Sequence, residues 1–166
     1  MMEPAFLGRL MDQHAAALVL YARQWCTAPE DVVQEAFLKL FAQRQLPDKL
    51  LPWLYRVVRN GAVSAARSAQ RRRQHETRAA EKTPTWFLAS ETTGIDCEAA
   101  TRGLQALSIE QREVIVAHLW GGLTFAQIAD LMGSSSSTVH RLYLAGLSAL
   151  RERLGVTCPR KPMTRN

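Results

Sequence analysis

The segment from Leu123 to Ala145 constrains the fold more than any other part of the chain. Thr124-Phe-Ala-Gln has capping-box form, a hydroxyl residue followed three positions later by glutamine, and opens a short helix that runs to Met132. Gly133 then supplies the left-handed backbone that a sharp turn requires. Ser134 to Ser137 make the turn, and a long helix continues to about Leu154. Ala129 is small where two helices cross closely, and Val139 anchors the second helix in a core. A short helix, a glycine turn and a helix that begins with small hydroxyl residues form the layout of a helix-turn-helix. That layout turns Ser135, Ser136, Ser137, Thr138, His140 and Arg141 outward, towards a DNA major groove. The same shape also occurs as ordinary packing in all-helical proteins, so only base or phosphate contacts confer the function.

The rest of the chain is also helical in pattern, with no convincing strand. Phe6, Leu10, Ala17, Leu18 and Tyr21 lie at helical spacings and predict a first helix ending near Trp25. Thr27-Ala-Pro-Glu starts a second, with Thr27 as its cap and proline in its first turn, and Val33, Ala36, Phe37, Leu40 and Phe41 form its apolar stripe. Pro52 opens a third through Trp53, Leu54, Val57, Val58, Gly61, Ala62 and Ala65, with Trp53 placed in the core. Ser108-Ile-Glu-Gln is another capping box, and Gly121-Gly122 stops the helix it begins. A length of 166 residues allows one ordinary domain or two small ones. The fold class is therefore all-α: two small helical domains joined by a flexible linker, the second containing the helix-turn-helix. The expected boundaries are 1–75 for the first domain, 76–97 for the linker, 98–154 for the second and 155–166 for a basic tail. Trp86 and Phe87 are apolar residues that the linker would dock on something.

Charge narrows the partners. Lysine and arginine number 21 against 15 acidic residues, a net charge of +6 that suits nucleic acid or an anionic membrane. Arg56, Arg59, Asn60, Val63 and Arg67 lie largely opposite the apolar stripe of the third helix, a basic ridge that continues into Arg71, Arg72 and Arg73. Such a ridge suits phosphate contacts, with Asn60 able to read a base edge; cations also complement the end of any helix. Glu30-Asp-Val-Val-Gln-Glu gives the second helix an acidic start, which is good helix chemistry or a site for a protein with a positive surface.

Several classes are set aside. The N-terminus lacks the charged start and long apolar core of a signal peptide, and Ala15 to Ala22 is far too short to cross a bilayer, so no membrane insertion and a cytoplasmic location are expected. Cys26, Cys97 and Cys158, and His14, His75, His118 and His140, are scattered without ligand spacing, so no metal and no cofactor are expected. Gly133-Ser-Ser-Ser-Ser lacks the second glycine of a nucleophile elbow, and no phosphate-cradling loop appears. No catalytic residue, no enzymatic activity and no small-molecule substrate are expected.

Four stretches in order resemble one family. Asp31-Val-Val-Gln-Glu-Ala-Phe-Leu, Trp53-Leu-Tyr-Arg-Val-Val-Arg-Asn, Leu107-Ser-Ile-Glu-Gln-Arg-Glu-Val and the helix-turn-helix are similar to the successive motifs of extracytoplasmic-function (ECF) sigma factors, over about residues 5–154. The resemblance implies a protein that binds core RNA polymerase and directs promoter recognition, DNA melting and transcription initiation. It implies that Asp31, Gln34 and Glu35, with apolar support from Phe37 and Leu38, grip the clamp helices of core polymerase. Arg56, Arg59, Asn60, Ser64, Arg67, Arg71, Arg72 and Arg73 would engage the −10 element and hold melted promoter DNA. Ser135, Ser136, Ser137, Thr138, His140 and Arg141 would read the −35 element, and the linker would thread towards the polymerase channel. An anti-sigma factor is a further partner of the kind the family implies.

This chain departs from the family pattern in places. Ser64 stands where an aspartate is often found, and Leu142 where an arginine is common; the recognition helix is correspondingly less basic. A free-standing helix-turn-helix regulator is the alternative function, since Leu123 to Val139 also resembles response-regulator DNA-binding domains; it would leave the acidic helix without a role.

Overall fold

The computed structural model describes residues 3–75 and 102–155. The expected linker over 76–97, with Trp86 and Phe87, and the tail beyond Gly155 lie outside the described residues. The helices delimited among the described residues are α1 (Pro4–Ala22), α2 (Pro29–Phe41), α3 (Leu50–His75), α4 (Ile109–Leu119), α5 (Phe125–Met132) and α6 (Ser136–Leu154). A helical turn at 102–105 precedes α4, and no strand occurs among the described residues.

In the first unit, α1, α2 and α3 pack on one another pairwise. Helix α2 buries Val33, Ala36, Phe37 and Leu40 of the expected stripe and adds Val32, whereas Phe41, at the last turn of the helix, is 46% exposed. Its start differs from expectation. Ala28 is the cap and makes no side-chain hydrogen bond, while Pro29 occupies the first turn. Thr27 is exposed and one residue too early to cap the helix. Helix α1 ends at Ala22, three residues before Trp25, because Arg23 to Trp25 form a turn. Helix α3 begins at Leu50, and Pro52 lies within its first turn, where the missing N–H leaves no bond unmade. At 26 residues α3 is about 39 Å long, and only its first half carries fully buried side chains.

The second unit follows its local signals closely. Ser108 and Thr124 each close a complete capping box at the starts of α4 and α5. Gly133 ends α5 with φ 65°, and Ser135 caps α6 by accepting a hydrogen bond from the Thr138 amide. Ser136 and Ser137 therefore belong to the helix and not to the turn. Ile128 and Val139 are fully buried and tie α5 and α6 to α4.

The two units also pack against each other. Helix α1 lies against α4, and α3 against α5. Buried apolar residues form one continuous core, from Leu18, Tyr21, Leu40, Leu54 and Tyr55 in the first unit to Val114, Ile115, Leu123 and Ile128 in the second. Gly121 belongs to this junction: a β-carbon there would stand 2.5 Å from Tyr55 Oη and 2.5 Å from the Ala117 carbonyl. Only glycine lets the tyrosine of the first unit seat against the end of α4.

Candidate nucleic-acid and polymerase interfaces

Each expected contact residue sits on an element built by local chemistry. On α2, Asp31, Gln34, Glu35 and Leu38 are all exposed, at positions that fall on one helical stripe opposite the buried one. Leu38 is 61% exposed, an apolar side chain left uncovered by the described residues. Phe37 is different: at 2% exposure it belongs to the core, behind the stripe. Lys39 lies 2.7 Å from Glu35, a surface pair of little energetic weight.

On α3, Arg56, Asn60, Ser64, Arg67, Arg71, Arg72 and Arg73 are exposed. Arg71 donates a hydrogen bond to Ser68 Oγ at 3.1 Å. Arg59 departs from the open ridge that the sequence predicts. Its guanidinium is turned to the second unit, where Nε lies 2.7 Å from Glu113 Oε1 and Nη2 3.4 Å from Oε2. It also stands over the Trp25 ring, 5.9 Å from the centroid. Arg56 reaches the Asp130 carbonyl at 3.5 Å, so two of the ridge residues touch the second unit. Trp53, assigned to the core, is half-buried; one part packs on the core and another lines a cleft with Ala42 to Asp48 in the α2–α3 loop.

The helix-turn-helix presents its expected residues unequally. Ser135 Oγ is occupied by capping, 2.9 Å from Thr138 Oγ1 and 3.0 Å from Ser137 Oγ. Arg141 Nη2 lies 3.4 Å from Thr138 Oγ1. His140 is exposed yet packs edge-on against Phe125, with ring centroids 5.2 Å apart. Phe125 is in turn stacked on His118 at 4.4 Å, and His118 Nδ1 holds the Leu123 carbonyl at 2.8 Å. This aromatic array fixes the angle between α5 and α6, and with it the face that α6 offers.

Glu113 lies within the Leu107 to Val114 motif, whose sequence pattern assigns it no role. It is a carboxylate with 3% side-chain exposure in the middle of α4. The Tyr21 hydroxyl donates to it at 2.6 Å, and Arg59 completes the pairing. Burial, followed by the Glu113 charge and hydrogen bond, raises the Tyr21 pKa well above the ordinary tyrosine value. The hydrogen bond to Glu113 raises that of Arg59. Tyr55 lies edge-on to Tyr21 at 4.8 Å, and burial raises its pKa too. Its hydroxyl is buried without a hydrogen-bond partner among the described residues. The available signal in the sequence was a lone acid preceding the apolar run Val114 to Ala117.

No group of His, Cys, Asp or Glu among the described residues could hold a metal ion, and no described helix is long and apolar enough to cross a membrane. Two helical units, one with a basic helix and one with a helix-turn-helix, have the layout of a DNA-binding protein.

Comparison with known proteins narrows that class. The model of sigma-70 region 2 matches residues 10–72, and that of sigma-70 region 4 matches residues 97–150. The chain is 32% identical to the ECF RNA polymerase sigma factor SigL of Mycobacterium tuberculosis, over 93% of this chain and 94% of that one. It is 30% identical to the probable RNA polymerase sigma factor RfaY of Xanthomonas campestris pv. campestris, covering 83% of this chain and 37% of the other. Its fold matches that of sigma factor RpoE from Bartonella quintana, solved with the anti-sigma factor NepR, with a TM-score of 0.73 and 21% identity over 91% of this chain and 98% of that one. CnrH, solved with the cytosolic domain of CnrY, matches with a TM-score of 0.57 and 20% identity over 94% and 92% of the two chains. The chain belongs to the ECF RNA polymerase sigma factors. It is a sigma factor: it binds core RNA polymerase and directs promoter recognition, DNA melting and transcription initiation.

Proposed function

We propose that the work of this sigma factor is divided between its two units, in the cytoplasm. Residues 1–75 bind core RNA polymerase and the −10 element, 98–154 bind the −35 element, and 76–97 connect them. The observation that carries this reading is the bare stripe on α2. Asp31, Gln34, Glu35 and Leu38 line up exposed, with an uncovered leucine among acidic and amide groups. That composition suits a partner helix carrying both cations and an apolar ridge, and it suits DNA poorly. The basic face of α3, from Arg56 through Asn60 and Ser64 to Arg73, supplies the contrasting surface. Its arginines hold phosphates, and Asn60 stands where a base extruded from the duplex would meet it. Extrusion costs a few kcal/mol, which phosphate contacts and polymerase contacts together offset. On α6, Ser136, His140 and Arg141 remain available for the major groove, while Ser135, Ser137 and Thr138 first serve the helix start. All of this is binding; the phosphoryl transfer belongs to the polymerase. An anti-sigma factor is a second protein partner in this reading, as the solved relatives RpoE and CnrH are each paired with one or with a domain of a partner chain.

The test is the double substitution Gln34→Ala with Glu35→Ala. Both side chains are exposed, so helicity by circular dichroism stays unchanged while pull-down of core RNA polymerase is lost. Unchanged polymerase binding overturns the assignment of the α2 stripe. Tight binding of a duplex operator in the absence of polymerase would favour a free-standing regulator instead.

A further inference from the structure

A promoter contacted at −10 and −35 presents two elements about 25 base steps apart, or about 85 Å of duplex. The described residues, 3–75 and 102–155, packed as one compact body have a radius of gyration of about 14 Å and measure about 40 Å across. The arrangement described above, with α1 on α4 and α3 on α5, is therefore too small to touch both elements together. The units must part before the chain can span a promoter, and the contacts that join them decide how readily they do.

Those contacts centre on Glu113. Both donors described for its carboxylate, the Tyr21 hydroxyl at 2.6 Å and the Arg59 guanidinium at 2.7 Å, come from the first unit. At 3% exposure the carboxylate depends on them, since an unpaired buried charge is strongly unfavourable. A carboxylate held by an arginine fork occupies the same donors that a phosphate would take.

We propose that Glu113 is an intramolecular stand-in for promoter phosphate: it occupies Arg59 and, with Tyr21, latches the two units into a closed form with reduced affinity for DNA. The proposal rests on the reading of Arg59 as a DNA contact. Opening exposes Glu113 to water and frees Arg59 in one step, so DNA and the second unit compete for a single guanidinium. Arg56, whose contact with the Asp130 carbonyl is longer and exposed, follows when the units part.

The test uses the full chain without polymerase and a fluorescein-labelled, mixed-sequence single-stranded oligonucleotide. Glu113→Gln keeps the side-chain shape and removes the charge that holds Arg59. It is expected to enlarge the radius of gyration in solution scattering and to tighten oligonucleotide binding on the order of tenfold, the effect of a freed charge-assisted contact. The slope of log affinity against log salt should steepen by about 0.7, the value of one added phosphate contact on a single strand. Glu110→Gln, an exposed glutamate of the same helix, makes the same change in net charge and should do neither. Adding Arg59→Gln to Glu113→Gln should cancel the gain.

Tyr21→Phe keeps the Arg59 pair and removes one donor, so it should move both readouts in the same direction by less. It carries the test should Glu113→Gln fail to fold. Tyr55→Phe removes a hydroxyl that has no hydrogen-bond partner among the described residues and should leave the closed form intact. A folded Glu113→Gln chain that is as compact as the parent, or that binds no better than Glu110→Gln, overturns the latch. If the single variant Arg59→Gln binds DNA as the parent does even in the presence of core polymerase, the assignment of Arg59 to DNA fails instead.

Discussion

In the second unit α4, α5 and α6 begin at hydroxyl side chains, Ser108, Thr124 and Ser135, and the last two end at glycines in the left-handed conformation, Gly133 and Gly155. In the first unit α1 and α2 begin at Glu3 and Ala28 with no side-chain cap, and a proline in the first turn takes its place. The cores differ as well. The first unit buries the tyrosines Tyr21 and Tyr55 beside Leu18, Leu40 and Leu54, whereas the fully buried side chains of the second, from Val114 to Val139, are all aliphatic. The second unit thus carries its instructions in short segments, and the first depends on side chains meeting across helices. The face proposed to contact polymerase and single-stranded DNA belongs to the unit with fewer local constraints. The helix-turn-helix, which must hold a fixed angle to enter a groove, is the one tied down by caps and by the His118–Phe125–His140 array.

The comparison can be broken most directly through the core that the units share. Leu54→Ala and Ile128→Ala each remove a fully buried side chain, one from each unit, and each should cost about 2–5 kcal/mol. Because the core is continuous, both variants should lower one common thermal transition followed by circular dichroism. Two separate transitions, each answering to only one variant, would show that the units fold independently.

A smaller effect sharpens the contrast in local signals. Gly133→Ala forces a side chain into φ 65° and should cost about 1–2 kcal/mol, and Thr124→Ala should cost about 1 kcal/mol by deleting a complete capping box. In the first unit the change runs the other way: Ala28→Ser supplies a missing cap and should gain up to about 1 kcal/mol. Urea titration measures all three, and a loss of stability in Ala28→Ser would mean that α2 needs no cap in its packed setting.

The last effect is absent at neutral pH. Burial raises the pKa of both Tyr21 and Tyr55 in the folded chain, so the folded state holds two phenolic protons more tightly than the unfolded chain does. The stability this contributes is complete below the unfolded tyrosine value of about 10 and is lost as pH rises through the folded values. Alkaline titration followed by phenolate absorbance should show two tyrosines ionising only as helicity is lost. In Tyr21→Phe that number should fall to one. Early ionisation of both in a folded chain would remove them from the closed junction.

The sequence made some of these features legible and hid others, for reasons visible in single residues. The Ser108 and Thr124 boxes, the Gly133 turn and the buried Val139 all depend on neighbours within a few positions, so pattern alone reached them. Thr27 misled because a threonine three residues before Glu30 has capping form, while the helix starts from Ala28 one residue later. Phe37 follows an acidic motif, but its place on the buried stripe commits it to the core. Arg59 sits on the basic ridge by helical spacing, and nothing within its own unit shows that it faces Glu113, 54 residues away.

By itself the sequence determined the all-helical class, the helix-turn-helix, the exposed acidic stripe on α2 and the family. Each follows from periodicity, from capping chemistry or from ordered short motifs. Only the tertiary structure decided that the two units share a core, that Gly121 is open to receive Tyr55, and that Arg59 is spent on Glu113. Those pairings join side chains distant in sequence, and burial energy and charge neutralisation act on separation in space, which spacing along one helix does not specify.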